Sequence, residues 1–330
     1  MKQPQTHSNS PKFECNKDGF FEYLKACKGY DASNPNPWQE VADKVASKGY
    51  YCVGEEYACT DDLPLLQKHN ESTKKENAKI VLDVAPNPFE GDVFNAKIIV
   101  LTLNPGFREK NRVGYNALDK AEKEKSTHYS VKNLELEGQG MYFGDKTLEK
   151  TRTYWNEVTK PKTVEGLQNI FGFDNADLAI IEHFGYPSVE YGETKYTKNL
   201  KTTQFAKDLV EFLATYRTDD FCFVIARRKD VWDDILQGCN KHVIELINSR
   251  SKSYISKGNV KNGATDWQRI KSLIYEADKQ RQIKKLKDAI AKDDGTMIST
   301  YERLLQDVEN GVMVVGVDSE NRPIMGKIHP

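Results

Sequence analysis

Apolar residues fall along this chain in two rhythms. Short runs at 98–103, 178–181, 221–226 and 243–247 are rich in Ile, Val, Leu and Phe, and each gives way at once to polar or turn residues. A strand with both faces inside a parallel sheet reads this way, because neither set of side chains meets water. Between the runs, apolar positions recur every three or four residues. Trp38, Val41, Ala42 and Val45 do so at 38–46, and Phe205, Leu209, Val210, Phe212 and Leu213 at 203–216, with further stretches at 231–236 and 267–287. That spacing places one apolar stripe on a helix.

Strands alternating with helices predict an α/β fold: a three-layer α/β/α sandwich with a central, mainly parallel four-stranded sheet, covering 80–280. Ahead of it, 1–79 reads as a helical extension or cap. It has a polar, disordered start at 1–12, an aromatic helical element at 13–24, the break Asn34-Pro-Asn-Pro37 and a charged linker at 68–78. With Pro86, Pro88 and Gly91, the 80–92 segment reads as a fixed loop beside the first strand. After Arg108 comes a polar stretch of about thirty residues with no stripe, which reads as a long loop, functional or disordered. At 281–330 the pattern predicts a C-terminal helix and a β-hairpin, with strands at 312–317 and 324–328 either side of Asp318-Ser-Glu-Asn-Arg-Pro323.

Composition narrows the class. The charges balance, 48 basic against 49 acidic, so net charge points to no partner. Apolar runs stay well short of the ~20 residues a membrane span needs, and the start lacks a signal-peptide pattern; a soluble, cytoplasmic protein without membrane association is the expectation. Six cysteines form no CxxC pair, so free thiols are expected and neither a metal site nor an organic cofactor is implied. Locally the balance breaks: 241–290 holds 12 Lys/Arg against 5 Asp/Glu. Such a segment either grips phosphate or is a solvated helix face.

Candidate chemistry gathers where the strands stop. The first run ends in Asn104-Pro105-Gly106-Phe107, the second in Glu182 and His183 followed by Gly-Tyr186-Pro-Ser188, the third in Arg227-Arg228 and the fourth in Asn-Ser249-Arg250. In a parallel sheet these tips share the carboxyl edge, where open α/β sheets put their ligands. Glu182 follows four apolar residues and must be satisfied, by a ligand, by water, or by Arg227 or Arg228. His183 is either a hydrogen-bonded structural histidine or an acid. Arg227 and Arg228 suit an anion.

Taken in order, strand-Asn-Pro-Gly, strand-Glu-x-x-x-Tyr-Pro-Ser, strand-Ala-Arg-Arg-Lys-x-x-Trp and strand-Ser-Arg-Ser-x-x-x-Ile-Ser-x-Gly-Asn resemble the uracil-DNA glycosylase-like superfamily over roughly 80–275. The likeness is nearest the mismatch-specific type and a bacterial branch with a Pro-x-Pro-aromatic-x-Gly loop before the first strand. The resemblance implies DNA or another nucleic acid as partner and hydrolysis of the N-glycosidic bond of a flipped, damaged or deaminated base. It implies that Asn104 holds the hydrolytic water, with Glu182 and His183 as further catalytic candidates. Pro105, Gly106, Phe107, Tyr186, Ser188 and Ser249 would line the base pocket, and Arg227, Arg228, Arg250, Lys252 and Lys257 would contact phosphates. Such a reaction passes through a cationic sugar and needs a placed water and a donor for the departing base, but no strong nucleophile. Two positions depart from the most active members: Asn104 stands for Asp, and Ser249-Arg-Ser for His-Pro-Ser. An amide is no general base. Two alternatives therefore stand beside the hydrolase: a non-catalytic nucleic-acid or nucleotide binder with the same fold, and a protein-interaction module.

Overall fold

The computed structural model describes residues 12–138, 163, 166–237, 243–247, 254–293, 297–317 and 323–327. Four parallel strands form its centre: β2 (Ile98–Thr102), β3 (Leu178–Glu182), β4 (Cys222–Ile225) and β5 (Val243–Glu245). A fifth, β1 (Phe89–Glu90), pairs antiparallel with β3 and closes the edge, giving the order β1-β3-β2-β4-β5. The expected four-stranded sheet thus gains a strand from the segment read as a fixed loop. Pro86 and Pro88 hold the chain extended, and Phe89 and Glu90 then have amides free to pair with Ile181 and Ile180.

Side chains from successive strand residues part into two cores. Ile99, Leu101, Ala179, Ile181, Phe223 and Ile225 pack with Trp38, Phe205, Phe212 and Trp232. Ile98, Val100, Ile180, Val224 and Ile244 pack with Leu167, Ile170, Ile270 and Ile274. Burial on both faces is what the uncharged runs demanded. On the first face lie α2 (Gln39–Lys48), α6 (Lys201–Tyr216) and α7 (Lys229–Leu236); the long α8 (Ala264–Lys292) lies on the second.

Residues from 1–79 do not form a separate cap core. Phe20 and Tyr23 of α1 (Lys17–Tyr23), Trp38, Val41 and Val45, Tyr57, and Leu66 of α3 (Leu63–Ser72) share one cluster with the sheet. Asp62, fully buried, caps α6 from across the chain: it accepts from the amide of Lys201 at 2.7 Å and from the Thr202 hydroxyl at 2.6 Å.

The polar stretch after Arg108 is not a loop. It forms α4 (Glu109–Asn116) and α5 (Lys120–Leu134). In α5 only Ser126, Ser130, Asn133 and Leu134 are buried, so no apolar stripe announces it. Its signal is local: Asp119 and Glu122 make a reciprocal capping box. At the C-terminus α9 (Ile298–Glu309) packs on α8, and β6 (Val312–Val317) pairs antiparallel with β7 (Pro323–Lys327) as the pattern predicted. Gln282 of α8 holds both backbone groups of Val314, at 2.9 and 3.2 Å.

Candidate functional site

The carboxyl ends of β2 and β3 leave the sheet together. Thr102 lies in register with Glu182; beyond them the His183 amide donates to the Thr102 carbonyl at 3.2 Å and the Phe184 amide to Leu103 at 2.8 Å. Pairing resumes after the turn, where the Phe107 amide donates to the Ser188 carbonyl at 3.0 Å. The Asn104 side chain crosslinks the two segments: its amide nitrogen donates to Ser188 Oγ at 3.0 Å and to the Pro105 carbonyl at 3.2 Å. With both N–H groups spent, the half-buried amide presents Oδ1 as an acceptor. Asn104, Pro105, Gly106, Phe107 and Ser188 therefore form one unit, as their places at adjacent strand tips required.

β4 brings Arg227 to the same edge on the other side of β2; the Ala226 amide bonds the Leu101 carbonyl at 2.9 Å. Because β3 and β4 flank β2, the chain leaving β2 turns toward one neighbour and the chain leaving β4 toward β5. Opposite departures of this kind make the gap between β2 and β4 the topological switch point of the sheet, with Asn104 and Arg227 at the two strand ends that border it.

The remaining candidates separate. Glu182 is buried beside Thr102 on the α8 side. His183, the next residue, points to the other face, where its ring meets Trp232 edge-on at 5.5 Å between centroids. It is 6% exposed, and neither ring nitrogen has a hydrogen-bond partner. Burial pushes its pKa down to about 3, with Lys207 and Arg228 adding to the fall and Asp230 opposing it. A ring buried in this way is held neutral at pH 7.

Tyr186 lies in the core beside the same segment. Fully buried against Trp38, it donates its hydroxyl to Asp62 at 3.0 Å. Phe107 is 6% exposed, and the Arg112 guanidinium lies 5.5 Å from its ring centre, sandwiched against Tyr51 at 4.6 Å. That face of Phe107 is already covered, and a base has no room to stack on it. Arg228 sits in the left-handed region (φ +52°) and is held by two carboxylates, Asp230 at 2.9 Å and Glu193 at 3.4 Å. Hydrogen bonding to Asp230 raises its pKa, and its charge is largely matched inside the protein. Lys257 is exposed. Ser249, Arg250 and Lys252 lie outside the described residues.

Two buried polar residues went unnoticed in the sequence: Glu90, opposite Ile180 of β3, and Asn133, in the last turn of α5. Glu90 stood in a supposed loop and Asn133 in a helix without a stripe; neither carries a signal before the strands are paired. Among the described residues no three His, Cys, Asp or Glu side chains gather in a way that could hold a metal ion, and no helix is long and apolar enough to cross a membrane. Cys15, Cys27, Cys52, Cys59 and Cys222 are free thiols.

Fold and site together define a mixed α/β protein with polar groups gathered at the carboxyl edge of a mainly parallel sheet. Comparison with protein-family models, with curated proteins and with solved structures gives no match to this chain.

Proposed function

We propose that this is a uracil-DNA glycosylase-like protein of three-layer α/β/α architecture that binds nucleic acid inside the cell and hydrolyses the N-glycosidic bond of a flipped base. The single observation that carries the reading is the joining of two motifs at one edge: Asn104 of the Asn-Pro-Gly turn is bonded to Ser188 of the Tyr-Pro-Ser turn at 3.0 Å.

In this reading Asn104 Oδ1 accepts a proton of the attacking water and fixes its approach to the sugar. The backbone of Pro105 and Gly106 borders the base, and Glu182 is assigned to hold it. Arg227 and Lys257 approach phosphates, with Arg250 and Lys252 assigned to the same task on sequence grounds alone. Arg228, already neutralised, contributes little to that contact.

The reading is tested by incubating the protein with duplex oligonucleotides containing uracil, hypoxanthine, xanthine or a mismatch, then cleaving abasic sites with alkali. Strand breaks with wild type and none with Asn104→Ala are expected. Equal breakage by both proteins removes Asn104 from its role, and steeply salt-sensitive binding without breakage selects the non-catalytic binder instead.

A further inference from the structure

Between α2 and α5 a groove of about 690 Å³ opens, within the size range of small-ligand sites. Its charge is one-sided: Lys48, Lys120 and Lys123 line it against a single carboxylate, Glu124. A second groove, below the amino ends of the strands, sets four cations against five carboxylates and favours no anion.

Two of the three lysines stand where a helix does not want them. Lys120 and Lys123 belong to the opening turn of α5, where the helix dipole favours acids and works against ammonium groups. A bound anion offsets that cost. None of the three is firmly held, either. Lys48 pairs with Glu55 at 3.2 Å and Lys120 with Glu124 at 3.7 Å, through lysine side chains 51% and 92% exposed. Lys123 donates to the Asn116 carbonyl at 3.2 Å. Exposed pairs of this kind contribute little, so the ammonium groups can turn to an incoming anion.

The floor of the groove adds neutral donors. Gly49 has φ +94°, and a Cβ built on it would lie 3.3 Å from the Tyr115 hydroxyl oxygen and 3.8 Å from Thr127 Oγ1. Two hydroxyls therefore meet bare backbone there. Hydroxyls beside ammonium groups are the usual donors to phosphate oxygens.

The groove also adjoins the Asn104 turn. Tyr115 lines it and, with Phe107 and Arg112, a small enclosed pocket next to it; the Phe107 amide is the one bonded to Ser188. Because α5 contacts β1, the groove lies on the β3 side of the turn, and Arg227 stands on the β4 side.

We infer that the groove between α2 and α5 binds the sugar-phosphate backbone of a nucleic-acid strand through Lys48, Lys120 and Lys123, and leads that strand away from the Asn104 turn. The inference rests on the nucleic-acid reading above and supplies it with a phosphate track outside the basic segment at 241–290.

Fluorescence anisotropy of a labelled oligothymidylate, titrated with the full chain over a series of KCl concentrations, tests it. Each lysine that meets a phosphate adds about 0.7 to the slope of log K against log salt for a single strand. Lys48→Gln/Lys120→Gln/Lys123→Gln is expected to lower that slope by about two. A control with the same change of charge, Lys284→Gln/Lys285→Gln/Lys287→Gln at exposed positions of α8, should lower it by less than about 0.7. Thermal melting checks that both proteins are folded; should the groove variant melt early, Lys120→Gln alone reads the effect as a fall of about 0.7. An unchanged slope in the groove variant, or equal falls in variant and control, would overturn the inference and leave the nucleic-acid reading in place. No binding by wild type at low salt would overturn both.

Discussion

At the amino edge of the sheet, where β2, β3 and β4 begin, charges meet charges. Lys97 bonds Asp220 at 2.5 Å, and Arg281 grips both oxygens of the buried Asp177, at 2.6 and 3.2 Å. Arg217, also buried, donates to the Ala96 carbonyl at 2.7 Å and lies over Phe221. A groove of about 790 Å³ opens there, large enough for a small molecule, but its main charged walls are committed to one another. At the carboxyl edge the pattern differs: His183 is buried with neither ring nitrogen bonded. Space alone does not mark a site. Unmet hydrogen-bonding capacity does not mark one alone either, since Arg269 Nε beside the amino-edge groove is also buried without a partner.

If the amino edge is structural, breaking it should cost the most. Arg281→Met is expected to destabilise the protein by about 3 kcal/mol in urea denaturation, by leaving the Asp177 carboxylate buried beside lost partners. A change within ~0.5 kcal/mol would erase the contrast between the two edges.

His183 sharpens the contrast through pH. Its native pKa of about 3 lies below the ordinary value of 6.5, so in between the unfolded chain binds a proton that the folded chain refuses. Stability is untouched above pH 6.5 and falls toward pH 3, by about 1.4 kcal/mol for each pH unit. His183→Phe should remove that slope in denaturation series run from pH 7 to 4. An unchanged slope would mean that the ring is not held neutral.

Smaller effects belong to the turn residues. Ser188→Ala removes one bond to Asn104 and should cost about 1 kcal/mol of stability. Arg228→Gly relieves a left-handed backbone and gives up exposed ion pairs, so a net change under ~1 kcal/mol is expected. It should also leave the salt dependence of DNA binding unchanged. A slope lower by about one would show that Arg228 contacts a phosphate after all.

Strands and striped helices were legible because burial on a periodic surface writes itself into composition. The four parallel strands start and stop within about two residues of the apolar runs. α4 and α5 escaped because they bury few apolar side chains, although the Asp119-x-x-Glu122 box was there to read. β1 escaped because two residues between prolines and a glycine carry no period. For the site, Asn104 and Ser188 were found from turn chemistry. From sequence Tyr186 suits a pocket wall or a core; the structure buries it, with its hydroxyl on Asp62, 124 positions away in the chain.

The sequence by itself determined the parallel strands and the kind of residue that ends each one, because local burial and turn geometry act over a few neighbouring positions. Only the tertiary structure decided that Asn104 and Ser188 touch, that His183 and Glu182 face opposite ways, and that Glu90 pairs with Ile180. Those outcomes depend on strand register and on which distant donors reach a buried acceptor, and neither leaves a mark on adjacent residues.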